Sequence, residues 1–225
     1  MSSYEEGLRA CKEGNMEAAL AIWRPLAEAG DIEAAFQVGL NLSNGAGGKQ
    51  DFPQAAKYLE IAAEEGHTEA EYSLGVLNHV GLGVPQDSAE GAYWYARAAE
   101  KGHTAAQCNL AGLYEQGEGV TQDYMKAFNL YSEAATNGHL IAIFNLGVMW
   151  ENGIGLEENP QRASELYRLA ANAGLPAAQH NLAVMLLEGI GVEEDADEAM
   201  KWFQRAADAG YEPSARNIEL LNQAA

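Results

Sequence analysis

The stretch EQGEGVTQD, Glu115 to Asp123, holds two glycines one residue apart with acids beside them. Two ligand chemistries use such residues. Glycine-rich turns present backbone N–H groups to phosphate. Acidic loops with glycine hold calcium through carboxylate and carbonyl oxygens. Neither pattern is complete here. A dinucleotide fingerprint needs a third glycine and a βαβ context, and a P-loop needs Gly-Lys-Ser/Thr. An EF-hand needs oxygen ligands at alternating positions and a closing Glu. The loop also recurs five times along the chain, which suits architecture rather than a single cofactor, so no nucleotide, calcium or other cofactor is expected.

Metal and nucleophile chemistry meet similar objections. His67, His103 and His139 stand 36 residues apart, and the chain has neither HExxH nor Cys-x-x-Cys. Stacked helical units separate such residues by about 10 Å, whereas zinc ligands converge to about 2 Å from the ion. These histidines read as polar helix-start residues packing over the preceding turn. Cys108 aligns with Phe36, Tyr72, Phe144 and His180, mostly ring residues at a packing position, so it reads as a small core filler. Cys11 lies nearly three units away, and no disulfide is expected. The carboxylates fall at caps, loops and exposed helix faces, where nothing raises their pKa. No catalytic residue and no metal ligand is assigned.

The elements behind these residues form a repeat, the first thing to test in any chain. Gly30, Gly66, Gly102, Gly138, Gly174 and Gly210 keep a 36-residue period. So do Gly45, Gly81, Gly117, Gly153 and Gly189, then Gly47, Gly83, Gly119, Gly155 and Gly191, and then Asp51, Asp87, Asp123, Asn159 and Asp195. Each unit reads as two helices. In the second unit the first helix spans about residues 68–80, and Gly81 sits where a helix end needs φ > 0. A short loop leads to an Asp or Asn that caps the second helix. Asp87 with Glu90, and Asp195 with Glu198, have capping-box spacing, and Pro160 follows Asn159 as a first helical residue. Alanine pairs from Ala62/Ala63 to Ala206/Ala207 mark a close helix–helix seam. Trp23, Trp94, Trp150 and Trp202, at helical spacing beside these seams, read as core.

This pattern resembles the Sel1-like repeat, a relative of the tetratricopeptide repeat; AQHNLAVMLLEGIGVEEDADEAMKWFQRAADAG (Ala178 to Gly210) matches it almost throughout. Departures are Gly48 in place of Val or Leu, Gly91 in place of Ala, and Asn159 in place of Asp. The expected organisation is an N-terminal tetratricopeptide-like helix pair over 1–30, five repeats over 31–210 and a C-terminal capping helix over 211–225, as one continuous solenoid domain. Pro25 should kink the second helix of the N-terminal pair or loosen its first turns. The fold class is all-α, a right-handed α/α superhelix of thirteen helices with the first helix of each unit on the concave side.

Composition sets the remaining bounds. The chain has 225 residues, is 48% hydrophobic and carries a net charge of −20. Such a field repels nucleic acid and anionic lipid, so a charged partner should be basic or neutral. The opening MSSYEEGLRACKEG has neither the basic nor the apolar region of a signal peptide, and no stretch approaches 18 apolar residues. A soluble, reduced, cytoplasmic protein without membrane insertion is expected.

Placing the first helices on a 100° wheel leaves one mostly polar arc. It holds the columns Glu33, Glu69, Ala105, Ile141, Ala177; Gln37, Ser73, Asn109, Asn145, Asn181; and Asn44, Val80, Gln116, Asn152, Glu188. The residues assigned to partner binding are Gln37, Ser73, Asn109, Gln116, Asn145, Asn152, Asn181 and Glu188. Side-chain amides offer a donor and an acceptor together, which suits the backbone of an extended peptide; equally, the amides can bond neighbouring units. The resemblance implies a monomeric, non-enzymatic scaffold or adaptor for a protein or peptide partner, of a kind often found in bacteria in signalling or membrane-associated complexes. The alternatives are a self-associating structural protein, or a hydrolase or β-lactam-binding enzyme, as proposed for secreted members of the family. Those members carry paired cysteines in each unit, which this chain lacks.

Overall fold

The computed structural model describes residues 3–224, and the regular structure among them is thirteen α-helices with no strand. They fall into two compact units, Met1–Asp123 and Tyr124–Ala225. The first contains α1 (Tyr4–Lys12), α2 (Met16–Glu28), α3 (Ile32–Asn44), α4 (Phe52–Glu64), α5 (Thr68–Val80), α6 (Ser88–Glu100) and α7 (Thr104–Gln116). The second contains α8 (Tyr124–Thr136), α9 (Leu140–Asn152), α10 (Pro160–Asn172), α11 (Pro176–Glu188), α12 (Ala196–Asp208) and α13 (Glu212–Ala224). Within each unit every helix packs on its sequence neighbours, as in an all-α helical repeat solenoid.

The repeat sequence sets the helix ends. Gly45, Gly81, Gly117, Gly153 and Gly189 stop their helices in the left-handed region, at φ between 63° and 80°. The next helix starts where Asp51, Asp87, Asn159 and Asp195 accept an N–H of its first turn. The backbone N–H of each cap residue also reaches back to the helix just ended. Asp51 donates to Leu42 O at 3.0 Å, Asp87 to Asn78 O at 2.8 Å, Asp123 to Tyr114 O at 2.9 Å, Asn159 to Trp150 O at 2.8 Å and Asp195 to Leu186 O at 2.9 Å. The connection is therefore a closed ring tied at both ends, which satisfies helix-terminal groups that otherwise need water. Its hydrophobic residue turns inward: Val84 packs on the first unit's core and Val192 on the second's, and Val120 is half-buried.

The second glycine of each loop has a separate job. A Cβ on Gly119 would lie 2.3 Å from the backbone carbon of Ser88 and 2.5 Å from the nitrogen of Ala89. On Gly191 it would lie 2.3 Å from the carbonyl group of Pro160. Gly47, Gly83 and Gly155 make the same approach to Met16, Phe52 and Tyr124. Each loop thus presses its bare backbone on the first turn of the preceding second helix.

Between helices the alanine pairs close the seam as expected, with Ala62, Ala98, Ala134, Ala170 and Ala206 all fully buried. Beside them runs a column of large buried side chains, Leu59, Tyr95, Tyr131, Tyr167 and Phe203. They fit because the facing first helix is shaved: a Cβ on Gly39, Gly75 or Gly147 would meet Leu59, Tyr95 or Tyr167 at 2.6 Å. Trp23, Trp94 and Trp202 are buried and Trp150 is half-buried.

Two local expectations come out differently. The helix α2 runs through Pro25 to Glu28 without a break, and Pro25 O still accepts from Ala29 N–H at 3.2 Å. The proline removes one backbone bond, the one its N–H would have made to Ala21 O, and the helix continues through it. A complete capping box forms at Ser3 and Glu6. At Asp195 only the aspartate half forms, because Glu198 turns to Arg168 and to the Trp202 indole N–H at 2.9 Å.

The two classes of positive-φ glycine should separate in a stability assay. Gly102 (φ 83°) has open space where a Cβ would go, so Gly102→Ala should cost about 1–2 kcal/mol from backbone strain alone. Gly119→Ala adds a clash with helix backbone and should cost about 2–5 kcal/mol. Equal denaturation midpoints for the two variants would contradict this packing.

Candidate interaction face of the first helices

The arc read from the sequence is solvent-facing. Glu33 and Glu69 are exposed, as are Asn44, Val80, Gln116, Asn152 and Glu188. The middle column, Gln37, Ser73 and Asn109 in the first unit and Asn145 and Asn181 in the second, is half-buried. Part of its bonding capacity faces inward. Asn109 hydrogen-bonds the Tyr95 hydroxyl, Asn181 that of Tyr167, and Gln37 that of Tyr4. These amides thus hold buried phenols, one of the two roles open to them from sequence, and keep their remaining donors and acceptors for the surface. Burial pushes the Tyr95 phenol up to about 12, partly opposed by Asn109. Burial raises Tyr167 further, helped by the Glu151 carboxylate that accepts its hydroxyl at 2.6 Å. Of the exposed column, Asn152 donates to Val148 O at 2.9 Å within its own helix.

In the first unit this face contains a hollow of about 390 Å³. Leu40, Ser43 and Asn44 of α3 line one side, Tyr72, Ser73, Val76 and Leu77 of α5 the other, with Gln50, Phe52 and Leu82 from the loops and α4. Two residues of the predicted arc, Asn44 and Ser73, stand in its wall. One turn nearer the helix starts, Glu33 and Glu69 carry side chains 58% and 59% exposed.

The histidine column does structural work in a form the sequence reading did not assign. His67, His103 and His139 are N-caps, each accepting a backbone N–H at Nδ1 from Ala70, Ala106 or Ala142 at 3.1–3.3 Å. The His67 ring stacks on Phe36 at 4.2 Å and the His103 ring on Tyr72 at 4.4 Å. Their Nε2 atoms reach Glu33 and Glu69 at 3.7 and 3.3 Å. A signal existed: the column begins with Asp31, a common cap type, which caps α3 through Ala34 N–H. At the last two positions of the column Leu175 and Tyr211 take the place of the histidine, and Tyr211 lies 5.3 Å from the His180 ring.

Four acidic or nucleophilic groups complete the inventory. Glu71, expected on an exposed face, is fully buried. It accepts from Arg97 Nε at 2.9 Å and Lys101 Nζ at 2.8 Å, and Lys101 also donates to Gly66 O. Its column holds Ala35, Gln107, Ile143 and Gln179, all buried, and that register was the available clue. Glu118, inside the opening motif, accepts from Ser88 Oγ at 2.6 Å and lies 3.4 Å from His79 Nε2. The Ser88 hydroxyl, and then His79, hold its carboxyl below the usual range. Cys108 is buried and free, and desolvation pushes its thiol up to about 11, away from nucleophilic use. Cys11 is likewise free. Among the described residues no three metal-ligating side chains converge, and no helix is long and apolar enough to cross a membrane.

Stacked helix pairs joined by closed glycine loops define an all-α helical-repeat solenoid. The chain belongs to the Sel1 repeat family: the Sel1 repeat model matches residues 32–67, 68–103, 104–139, 140–175 and 176–211. Sel1 repeat proteins are generally protein-interaction scaffolds, and the fold is typically non-catalytic. A protective antigen of uropathogenic Escherichia coli strains is 31% identical with a TM-score of 0.83. The match covers 94% of this chain and 50% of the antigen, so this chain spans half of that protein's length. A Sel1 repeat protein from Oxalobacter formigenes is 27% identical with a TM-score of 0.87, covering 95% and 85% of the two chains. A Sel1 repeat protein from Klebsiella pneumoniae, at 19% identity and a TM-score of 0.56 over 89% and 97% of the chains, shares the fold. No curated protein sequence matches.

Two outcomes follow from the charged groups. Arg97→Ala with Lys101→Ala strips the buried Glu71 carboxylate of its partners and should cost about 3–5 kcal/mol. Adding Glu71→Ala should recover most of that loss, which chemical denaturation of the double and triple variants will show. The second concerns pH. Glu118 has a lowered pKa in the folded state, so its contribution is present above its unfolded value and lost as pH falls through the folded one. The stability gap between wild type and Glu118→Gln should therefore be open at neutral pH and narrow as pH falls below the ordinary carboxylate range. A gap that persists in acid rules out the charge as its source.

Proposed function

We propose that this chain is an adaptor that holds a protein or peptide partner along the face formed by its first helices, and that it performs no catalysis of its own. The observation that carries this reading is the register of that face. Exposed Asn44, Gln116, Asn152 and Glu188 and half-buried Gln37, Ser73, Asn109, Asn145 and Asn181 recur at the repeat period. A non-catalytic role is supported by the use already made of the reactive side chains. Three histidines cap helices, Cys108 is buried with a raised thiol pKa, and Glu71 is neutralised by two cations. The net charge of −20 favours a basic or neutral partner over nucleic acid or an anionic membrane. A monomer acting in the cytoplasm is part of the same proposal.

The test is affinity capture on the tagged full chain with mass spectrometry, repeated with the exposed set Gln116→Ala, Asn152→Ala and Glu188→Ala. We expect one stoichiometric protein partner, at least tenfold weaker capture by the variant, and an unchanged melting temperature. Absence of any stoichiometric partner, or capture untouched by these changes and by Asn44→Ala, overturns the reading. Gel filtration separates the monomer from a self-associating assembly.

A further inference from the structure

The hollow between α3 and α5 has a chemistry that narrows the partner, and this step rests on the adaptor reading. We infer that it takes an extended peptide segment carrying one leucine-sized apolar side chain and, three residues away, a lysine or arginine. The apolar half follows from the walls. Leu40, Val76, Leu77 and Leu82 with the rings of Tyr72 and Phe52 line an open hollow of about 390 Å³, and no charged side chain lines it. That volume lies within the usual range for a specific small site. Ser43, Asn44, Gln50 and Ser73 are the polar groups of the wall, and they offer hydrogen bonds to a peptide backbone. The Gln50 amide is already oriented, donating to Ser43 O at 2.6 Å.

The cationic half follows from charge and register. Glu33, Gln37, Leu40 and Asn44 lie on one face of α3, and Glu69, Ser73, Val76 and Val80 on the matching face of α5. Both glutamates therefore project beside the same end of the hollow. Their side chains are more than half exposed, and their neighbours are the histidines His67 and His103. Seven residues separate Glu33 from Leu40 and Glu69 from Val76. At 1.5 Å of rise per residue that is roughly 10 Å, and three residues of extended chain span roughly the same length. A peptide running along the helices thus brings a cation to the glutamate pair when its apolar side chain fills the hollow. The overall charge of −20 speeds the approach of such a segment.

The experiment pans a phage-displayed library of random twelve-residue peptides on the immobilised full chain, then measures Kd for the enriched sequences as synthetic peptides. Enriched sequences should place Lys or Arg three positions from Leu, Ile, Met or Phe, and their amide shift perturbations should map to α3 and α5. Glu33→Gln with Glu69→Gln should weaken binding about tenfold and flatten its dependence on salt. Val76→Glu and, independently, Ser73→Arg should abolish it, with melting temperature measured for each. Enriched peptides without a cation, insensitive to the glutamate changes, or mapping elsewhere overturn the inference while leaving the adaptor reading in place. No enrichment at all also overturns it, and the adaptor reading then stands or falls on affinity capture alone.

Discussion

The packing of each loop on the helix before it is the constraint from which the rest follows. Where Gly119 meets Ser88 and Ala89, and Gly191 meets Pro160, backbone touches backbone with no room for a single carbon. A side chain at either place would push the loop outward by more than an ångström. The loop could then no longer reach back from its cap residue to the preceding helix, as Asp195 does to Leu186 O and Asp123 to Tyr114 O. Close approach sets the spacing between neighbouring helix pairs. That spacing in turn lets fully buried alanines form the seam and large residues such as Tyr95 and Tyr167 fill the gap opposite Gly75 and Gly147.

Such packing shows how the fold uses the motif that looks most like a ligand loop. Gly117 ends α7 in the left-handed region, Gly119 lies against α6, and Glu118 takes the Ser88 hydroxyl at the start of that same helix. A carboxylate at a helix N-terminus is also favoured by the helix dipole, so one residue supplies both a hydrogen bond and a favourable charge. Gln122 donates to Glu115 O at 2.8 Å, as Gln86 does to His79 O one repeat earlier. Gln116 is exposed and stands on the arc that the sequence assigns to partners.

Most of the fold is legible in the sequence because a solenoid repeats its backbone solution. A glycine every 36 residues is a statement about φ, and an aspartate or asparagine four residues after the second loop glycine is a statement about a helix start; neither needs long-range information. The side-chain pairings are less legible. His103 has the look of a metal ligand until its Nδ1 is seen to accept Ala106 N–H. Glu71 reads as surface until Arg97 and Lys101, 26 and 30 residues later, close over it. Both depend on which residue of a neighbouring helix faces the position, and helical periodicity carries that only as burial. The amide column was legible as a register but not as a role, because the hydroxyl that Asn109 bonds belongs to Tyr95 on the previous helix.

The same reasoning locates where function can vary without cost to the fold. Positions tied to the loop-on-helix packing tolerate little: Gly119, the cap residues and the alanine seam are fixed by geometry common to all repeats. First-helix positions facing outward are released from it. Across the repeats the column of Glu33 continues as Glu69, Ala105, Ile141 and Ala177, and that of Asn44 as Val80, Gln116, Asn152 and Glu188. Charge, amide and aliphatic groups alternate there, while three residues away along the helix Asn41, Leu77, Leu113, Met149 and Met185 stay buried. A repeat protein that fixes its interior and varies one face leaves those few exposed columns free to change without cost to the fold. The column that starts with Glu33 and Glu69 beside the hollow continues as Ala105, Ile141 and Ala177, so its acidic character is confined to the first two repeats.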